Sequence, residues 1–156
     1  MVWMGVDLGE ARVGLALSDP ELTFAHPEGN IEVHGDSFHA LDAVIGIIEE
    51  NDVDVVVVGL PLMLDGSVGA SGKKATRWGR NLSRRVEDAV ASNDWHGGSA
   101  PQVVMRDERL TTVMAHDGLR SAGIAERWHR ARVDQQSAVL ILQSALDARS
   151  QEERDR

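Results

Sequence analysis

The sequence predicts an α/β domain: a mixed five-stranded sheet with helices on both faces. Three observations predict it. Two short apolar segments, Val2 to Leu8 with its β-branched residues and Arg12 to Ser18, are separated by only three residues, which suits an antiparallel hairpin. Later strand-like segments alternate with stretches of helical periodicity, the pattern of parallel strands joined by crossovers. Finally, 156 residues with no Pro-, Gly- or Ser-rich linker and no internal repeat fit a single core.

The elements follow in order. Gly9 ends the first strand, and Asp19-Pro20 closes the second. Residues 19–30 read as turn-rich, with a weaker strand near Ile31 to Val33 completing a meander. Asp36 or Ser37 caps a helix whose apolar positions Leu41, Val44, Ile45 and Ile48 keep the 3.6-residue period. Asp54-Val55-Val56-Val57-Val58-Gly59 is a continuous apolar run of the kind buried on both faces of a parallel sheet. A Gly-rich loop, 65–72, leads into a long helix over roughly Lys73 to Ala91. Val103-Val104-Met105 is a fifth strand running into Asp107-Glu108, Thr111 or Thr112 caps a further helix, and a last helix covers about Val133 to Arg149. The domain is therefore expected over 1–149, with 150–156 a charged, frayed tail.

Composition excludes several classes. The chain has no Cys, so disulfides, thiolate metal sites and thiol nucleophiles are absent. No apolar run approaches the roughly 20 residues of a membrane helix, and residues 1–7 lack a signal-peptide pattern, so a cytoplasmic protein without a membrane partner is expected. The six histidines show no zinc spacing, and no Ser lies in a nucleophile-elbow context. The net charge of −9 argues at first against a nucleic-acid partner. Its distribution reverses that argument. Residues 1–66 hold 13 acids against the single base Arg12, whereas residues 71–132 hold 12 bases against 7 acids. Fourteen of the 16 bases are Arg, whose planar fork suits phosphate.

Two features carry chemistry. Asp7 ends an apolar strand, Glu108 follows another with Asp107 beside it, and Asp134 falls within about 40° of Ala138, Ile141 and Ala145 on a helical wheel. Each carboxylate alone has a bland reading, Asp134 as a complement to a helix dipole. Converged at one sheet edge they would repel, and divalent cations resolve such repulsion; hard oxygens select Mg²⁺ or Mn²⁺, with two ions about 3.5–4 Å apart suiting phosphodiester cleavage. The second feature is the helix from Lys73. Lys73, Arg77, Arg80 and Arg84 fall within about 60° of one another, opposite Ala75, Trp78, Leu82, Val86 and Ala89. This ridge of one sign reads equally as a phosphate-binding face or a solvated one. The loop before it lacks the Gly-Lys-Ser/Thr ending of a P-loop.

These residues resemble the YqgF/RuvX family. Val6-Asp7-Leu8-Gly9 with Arg12-Val13-Gly14-Leu15-Ala16 and Ser18-Asp19-Pro20 resembles its opening. Val57-Val58-Gly59-Leu60-Pro61-Leu62 with Asp65-Gly66-Ser67 and Gly69 resembles its middle motif. Asp107-Glu108-Arg109-Leu110-Thr111-Thr112 with Ala115 resembles its third, and Val133-Asp134 with Ala138 and Ile141-Leu142-Gln143 its last. The resemblance implies a ribonuclease H-like fold and a nuclease described as Holliday-junction resolvase-like or as trimming the 5′ end of pre-16S rRNA. It implies Asp7, Glu108 and Asp134 as catalytic metal ligands, with Asp107 a neighbour of open role. Ala11 and Met63 depart from the family's usual Lys and Asn, which bears on substrate contacts. The leading expectation is a metal-dependent nuclease acting in ribosome biogenesis, with Lys73, Arg77, Arg80, Arg84, Arg109 and Arg130 on the nucleic acid and Arg127 and Arg132 adding contacts, as monomer or homodimer. The alternatives are a branched-DNA resolvase and a non-catalytic RNA-binding assembly factor. An actin-like ATPase also begins Asp-x-Gly on a hairpin, but its two-domain cleft exceeds this length.

Overall fold

A computed structural model describes residues 1–33, 36–107 and 126–156, with side chains in the last stretch described from Gln136 onward. Five strands form one sheet in the order β3-β2-β1-β4-β5. β1 (Val2–Leu8) and β2 (Arg12–Ser18) form the expected hairpin, with Asp7 opposite Gly14, and Gly9 N–H donates to Arg12 O at 2.8 Å to close it. β4 (Val53–Leu60) and β5 (Gln102–Asp107) continue the sheet parallel to β1, so Val6, Val58 and Met105 share a row. The mixed α/β sheet predicted from sequence is the sheet observed.

Side-chain alternation divides two cores. Met4, Val6, Val13, Leu15, Val56 and Val58 face α1 (Leu41–Asn51) and α2 (Ala70–Ala91), where Val44, Ile48, Trp78, Leu82 and Val86 complete one cluster. Ala16 and Val57 face α3 (Glu126–Arg154), whose Ala138, Ile141, Leu142, Ala145 and Leu146 complete the other. Val56, Val57 and Val58 have no exposure at all, as the unbroken valine run requires of a central strand. Trp78 is likewise fully buried, and its indole N–H donates to Ser37 O at 2.9 Å, tying α2 to the 3₁₀ turn Ser37–Ala40. Asp36 caps that turn through Phe38 N–H, and the turn leads directly into α1.

Four boundaries differ from the sequence reading. β3 runs over Ala25–Glu32, not 31–33. As an edge strand it tolerates Pro27, and a register shift leaves Glu28 as an extra residue between the pairs Leu15–Gly29 and Ala16–Pro27. Its start is held from outside: Ala25 N–H donates to Gln143 Oε1 at 2.8 Å, and Gln143 Nε2 donates to Thr23 O at 3.0 Å. α2 begins at Ala70, three residues early, because Gly72 lets the helix approach Pro61; a Cβ there would lie 2.7 Å from Pro61 O. The last helix begins at Glu126 and continues to Arg154. The charged tail is helical through that point because Arg149 pairs with Glu153 at 2.8 Å and Arg154 donates to Gln151 at 2.9 Å. The helix expected from Thr111 or Thr112 lies outside the described residues.

Candidate active site

Asp7 is the last but one residue of β1, the middle strand of the sheet, and is only 8% exposed. A carboxylate so placed is costly in water-poor surroundings unless it meets donors or a cation. Its neighbour across the hairpin, Gly14, has no side chain to crowd it. Alternation along β1 puts Trp3, Gly5 and Asp7 on the face covered by α3.

The approach of α3 is set by Gly5. A Cβ on Gly5 would lie 2.6 Å from Ala138 O and 2.8 Å from Leu142 Cβ, so helix and strand backbones touch there. Trp3 instead borders Ala145 and Ala148, so α3 descends antiparallel to β1. Position 134 stands one helical turn, about 6 Å, before Ala138, and Asp7 stands two strand residues, about 6.6 Å, beyond Gly5. The backbone of α3 thus carries position 134 to the level of Asp7. The side chains of Asp134, Arg127, Arg130 and Arg132 are outside the described residues.

β5 brings its end to the same edge, with Asp107 opposite Leu60. Val103 and Met105 face α2, within reach of Gly79, whereas Val104 and Arg106 face α3. Glu108 and Arg109 follow directly and lie outside the described residues. Among the described residues no three carboxylate or imidazole side chains gather closely enough to hold a metal ion. Of the predicted trio, Asp7 alone has a described side chain.

The cationic ridge is formed as expected. Lys73, Arg77, Arg80 and Arg84 are exposed along α2, opposite Ala75, Trp78, Leu82 and Val86. Arg85 beside it is engaged, donating to Asp42 at 2.6 Å. Arg80 and Arg84 wall a groove of ≈ 380 Å³ with Thr76, Ser83 and Glu87, floored by Val103 and Met105. The tertiary structure separates this ridge from Asp7, because α2 and α3 cover opposite faces of the sheet.

Sequence reasoning passed over Arg106 and Arg149, which lie on Asp7's own face. Arg106 is half-buried, and its Nε donates to Ser144 Oγ at 2.6 Å. With Arg149, Glu152, Trp3, Val57, Val104, Ala145 and Ala148 it lines a pocket of ≈ 320 Å³ between the sheet and α3. The available signal was strand parity: position 106 alternates with Met105, which faces α2. The Gly-rich loop forms a turn of its own. It closes on itself through Gly66 N–H to Met63 O and Met63 N–H to Ser67 O, both 2.8 Å, with Gly66 at φ 87°. Asp19, in the β2–β3 turn, has its pKa lowered first by the Phe24 N–H and also by Thr23 N–H, opposed by partial desolvation; its role is to hold the turn.

Comparison with known proteins adds the following. The family model described as "RuvX: Holliday junction resolvase" matches residues 1–148. The chain is 60% identical over 147 residues to a Bifidobacterium adolescentis protein named "Putative pre-16S rRNA nuclease", covering 94% of this chain and 97% of that one. It is 37% identical over 150 residues to a Corynebacterium diphtheriae protein of the same name, covering 94% and 84%. Among solved structures it is similar to Thermus thermophilus RuvC in complex with a Holliday junction substrate, at TM-score 0.52 and 16% identity over 96% of both chains. That likeness is one of fold, the mixed five-stranded sheet with helices on both faces.

Proposed function

The chain belongs to the RuvX Holliday junction resolvase family of nucleases, and on that premise we propose that it hydrolyses phosphodiester bonds at the sheet edge bearing Asp7, processing the 5′ end of pre-16S rRNA. The observation that carries this reading is the place of Asp7: a nearly buried carboxylate on the middle strand, level with position 134 of the helix packed over it. In this reading Glu108, the residue that follows Asp107 at the end of β5, and Asp134 act together with Asp7. The donor set is all carboxylate oxygen, which fits Mg²⁺ or Mn²⁺, and Asp7, Glu108 and Asp134 are the residues that would hold two such ions. Bound there, the ions would activate the attacking water and neutralise charge on the leaving oxygen.

The chain's own residues do the remaining work. Lys73, Arg77, Arg80 and Arg84 bind the sugar–phosphate backbone where it passes α2, and Arg109 and Arg130, near Glu108 and Asp134 in the sequence, hold it near the cut. Because the ridge and Asp7 lie on opposite faces, the bound strand passes around the β5 edge of the sheet. No helix among the described residues is long and apolar enough to cross a membrane.

The test is cleavage of a 5′-extended 16S precursor by purified protein with Mg²⁺ or Mn²⁺, beside a four-way DNA junction. The expected result is metal-dependent cleavage of the precursor, lost in Asp7→Asn, Glu108→Gln and Asp134→Asn while binding persists. Cleavage of the junction alone assigns the enzyme to branched DNA instead. Binding without cleavage of either substrate by the wild type makes the chain an RNA-binding assembly factor and refutes the nuclease.

A further inference from the structure

We propose that the pocket between β5 and α3 is a nucleotide subsite, in which Arg106 and Arg149 grip the phosphate of a residue flanking the bond to be cut. The inference rests on the nuclease reading for its substrate class, but the site stands on its own geometry. Arg106 is the residue after Met105, as Asp7 is the residue after Val6, and Val6, Val58 and Met105 form one row. Asp7 and Arg106 are therefore neighbours in level on the same face, two strands or about 10 Å apart. From Arg106 the pocket extends toward Trp3, four residues and about 13 Å back along β1 from Asp7. It is a recess that opens beside the cutting site and runs away from it.

The lining suits a nucleotide. Ser144 Oγ accepts from Arg106 Nε at 2.6 Å and itself donates to Ile141 O at 3.0 Å, which fixes the plane of the guanidinium. Among the described residues its two Nη groups make no further hydrogen bond, and such a fork matches two phosphate oxygens. Arg149 lines the pocket from α3, in a partly exposed pair with Glu153 at 2.8 Å that is weak enough for a backbone phosphate to compete with. Val104, Ala148 and the Trp3 ring supply an apolar floor for a base, and Glu152 at the rim is an acceptor for its amino group or for ribose hydroxyls. The α2 ridge has exposed cations over a groove on the other face, whereas this pocket lies on Asp7's own face and holds Arg106 by a side-chain hydrogen bond.

The test reads binding without cleavage. Adenosine monophosphate is titrated into isotope-labelled protein in the absence of metal, with adenosine and inorganic phosphate as separate arms, and the Trp3 indole N–H resonance is followed. That N–H is buried without a hydrogen-bond partner at the pocket wall, so it reports local change. The nucleotide is expected to shift it and adenosine is not; Arg106→Gln and Arg149→Gln each weaken the nucleotide about tenfold in protein whose spectrum shows the fold retained. In parallel, the double variant is expected to lower the salt slope of single-stranded RNA binding by about 1.4, two contacts at roughly 0.7 each. A Trp3 signal unmoved by about 10 mM nucleotide, equal affinity for inorganic phosphate, or an unchanged RNA salt slope overturns the subsite. A protein that binds the nucleotide here yet cleaves no nucleic acid refutes the nuclease reading and supports the pocket.

Discussion

Replacing Gly5 by Ala tests how closely α3 must approach β1. The added Cβ would lie 2.6 Å from Ala138 O and 2.8 Å from Leu142 Cβ. Ordinary contact begins near 3.4 Å, so strand and helix must separate locally by about 0.8 Å. Neither obstacle is a flexible side-chain end: one is a helix carbonyl already in its ladder, the other the root of a fully buried Leu. Overpacking of this kind costs about 1–3 kcal/mol, and the absence of a rotamer that relieves it puts Gly5→Ala in the upper half of that range. The entropic gain of Gly→Ala in the unfolded chain, about 0.4–1 kcal/mol, offsets only part. For a chain of this length the net loss of about 1.5–2 kcal/mol lowers Tm by roughly 3–8 °C. The same displacement moves the turn of α3 bearing position 134 relative to Asp7, and a misplacement near 1 Å reduces kcat/KM by about 10²-fold. Urea denaturation and cleavage kinetics at a temperature where the variant is fully folded separate the two effects. A variant within about 0.5 kcal/mol of wild type and within twofold in kcat/KM would refute the close-approach argument.

Three further outcomes follow from other parts of the structure. Neutralising Lys73, Arg77, Arg80 and Arg84 to Gln should lower the salt slope of nucleic-acid binding by about three while kcat at saturation stays within a few-fold, since the ridge is across the sheet from Asp7; an unchanged slope, read by fluorescence anisotropy, makes it a solvated face. Trp78→Ala should cost about 3–5 kcal/mol in urea denaturation, because a fully buried ring and its bond to Ser37 O both go, whereas Trp78→Phe should cost about 1–2 kcal/mol. Asp19 has its pKa held below its ordinary value of 3.8, so its charge stabilises the fold above that pH and the contribution disappears as pH falls through the lowered value. The Tm gap between wild type and Asp19→Asn should therefore be present at neutral pH and close in strong acid; a gap independent of pH would rule out the charge as its cause.

The hairpin was legible to the residue because its signals are local: short apolar runs within 2–8 and 12–18, and a turn with Gly9 between them. The buried valine strand and the amphipathic face of α2 were legible for the same reason, each being a periodic pattern that packing reinforces. β3 was not. Residues 25–30 contain Pro27 and Gly29 and have weak strand propensity; they are drawn into the sheet by Gln143, more than a hundred residues away, and by Asp19 holding the turn before them. The tail resembled a frayed end because charge alone gives no helical stripe, and its helicity rests on the preceding turns and on pairs three and four residues apart.

For the site, local pattern established which residue types were present, their order and the local element each sits on: a strand-ending Asp7, an acid after β5, an aspartate at a helical position in line with Ala138, and a one-signed ridge on α2. It did so because periodicity and spacing are properties of the chain alone. Packing set the sides. It put Asp7 and α3 on one face of the sheet and the ridge on the other, and it turned the overlooked Arg106 toward Asp7's face. Sidedness depends on strand register and on which helix covers which face, and both are set by long-range contacts, of which the touch of Gly5 against Ala138 is the tightest described around Asp7.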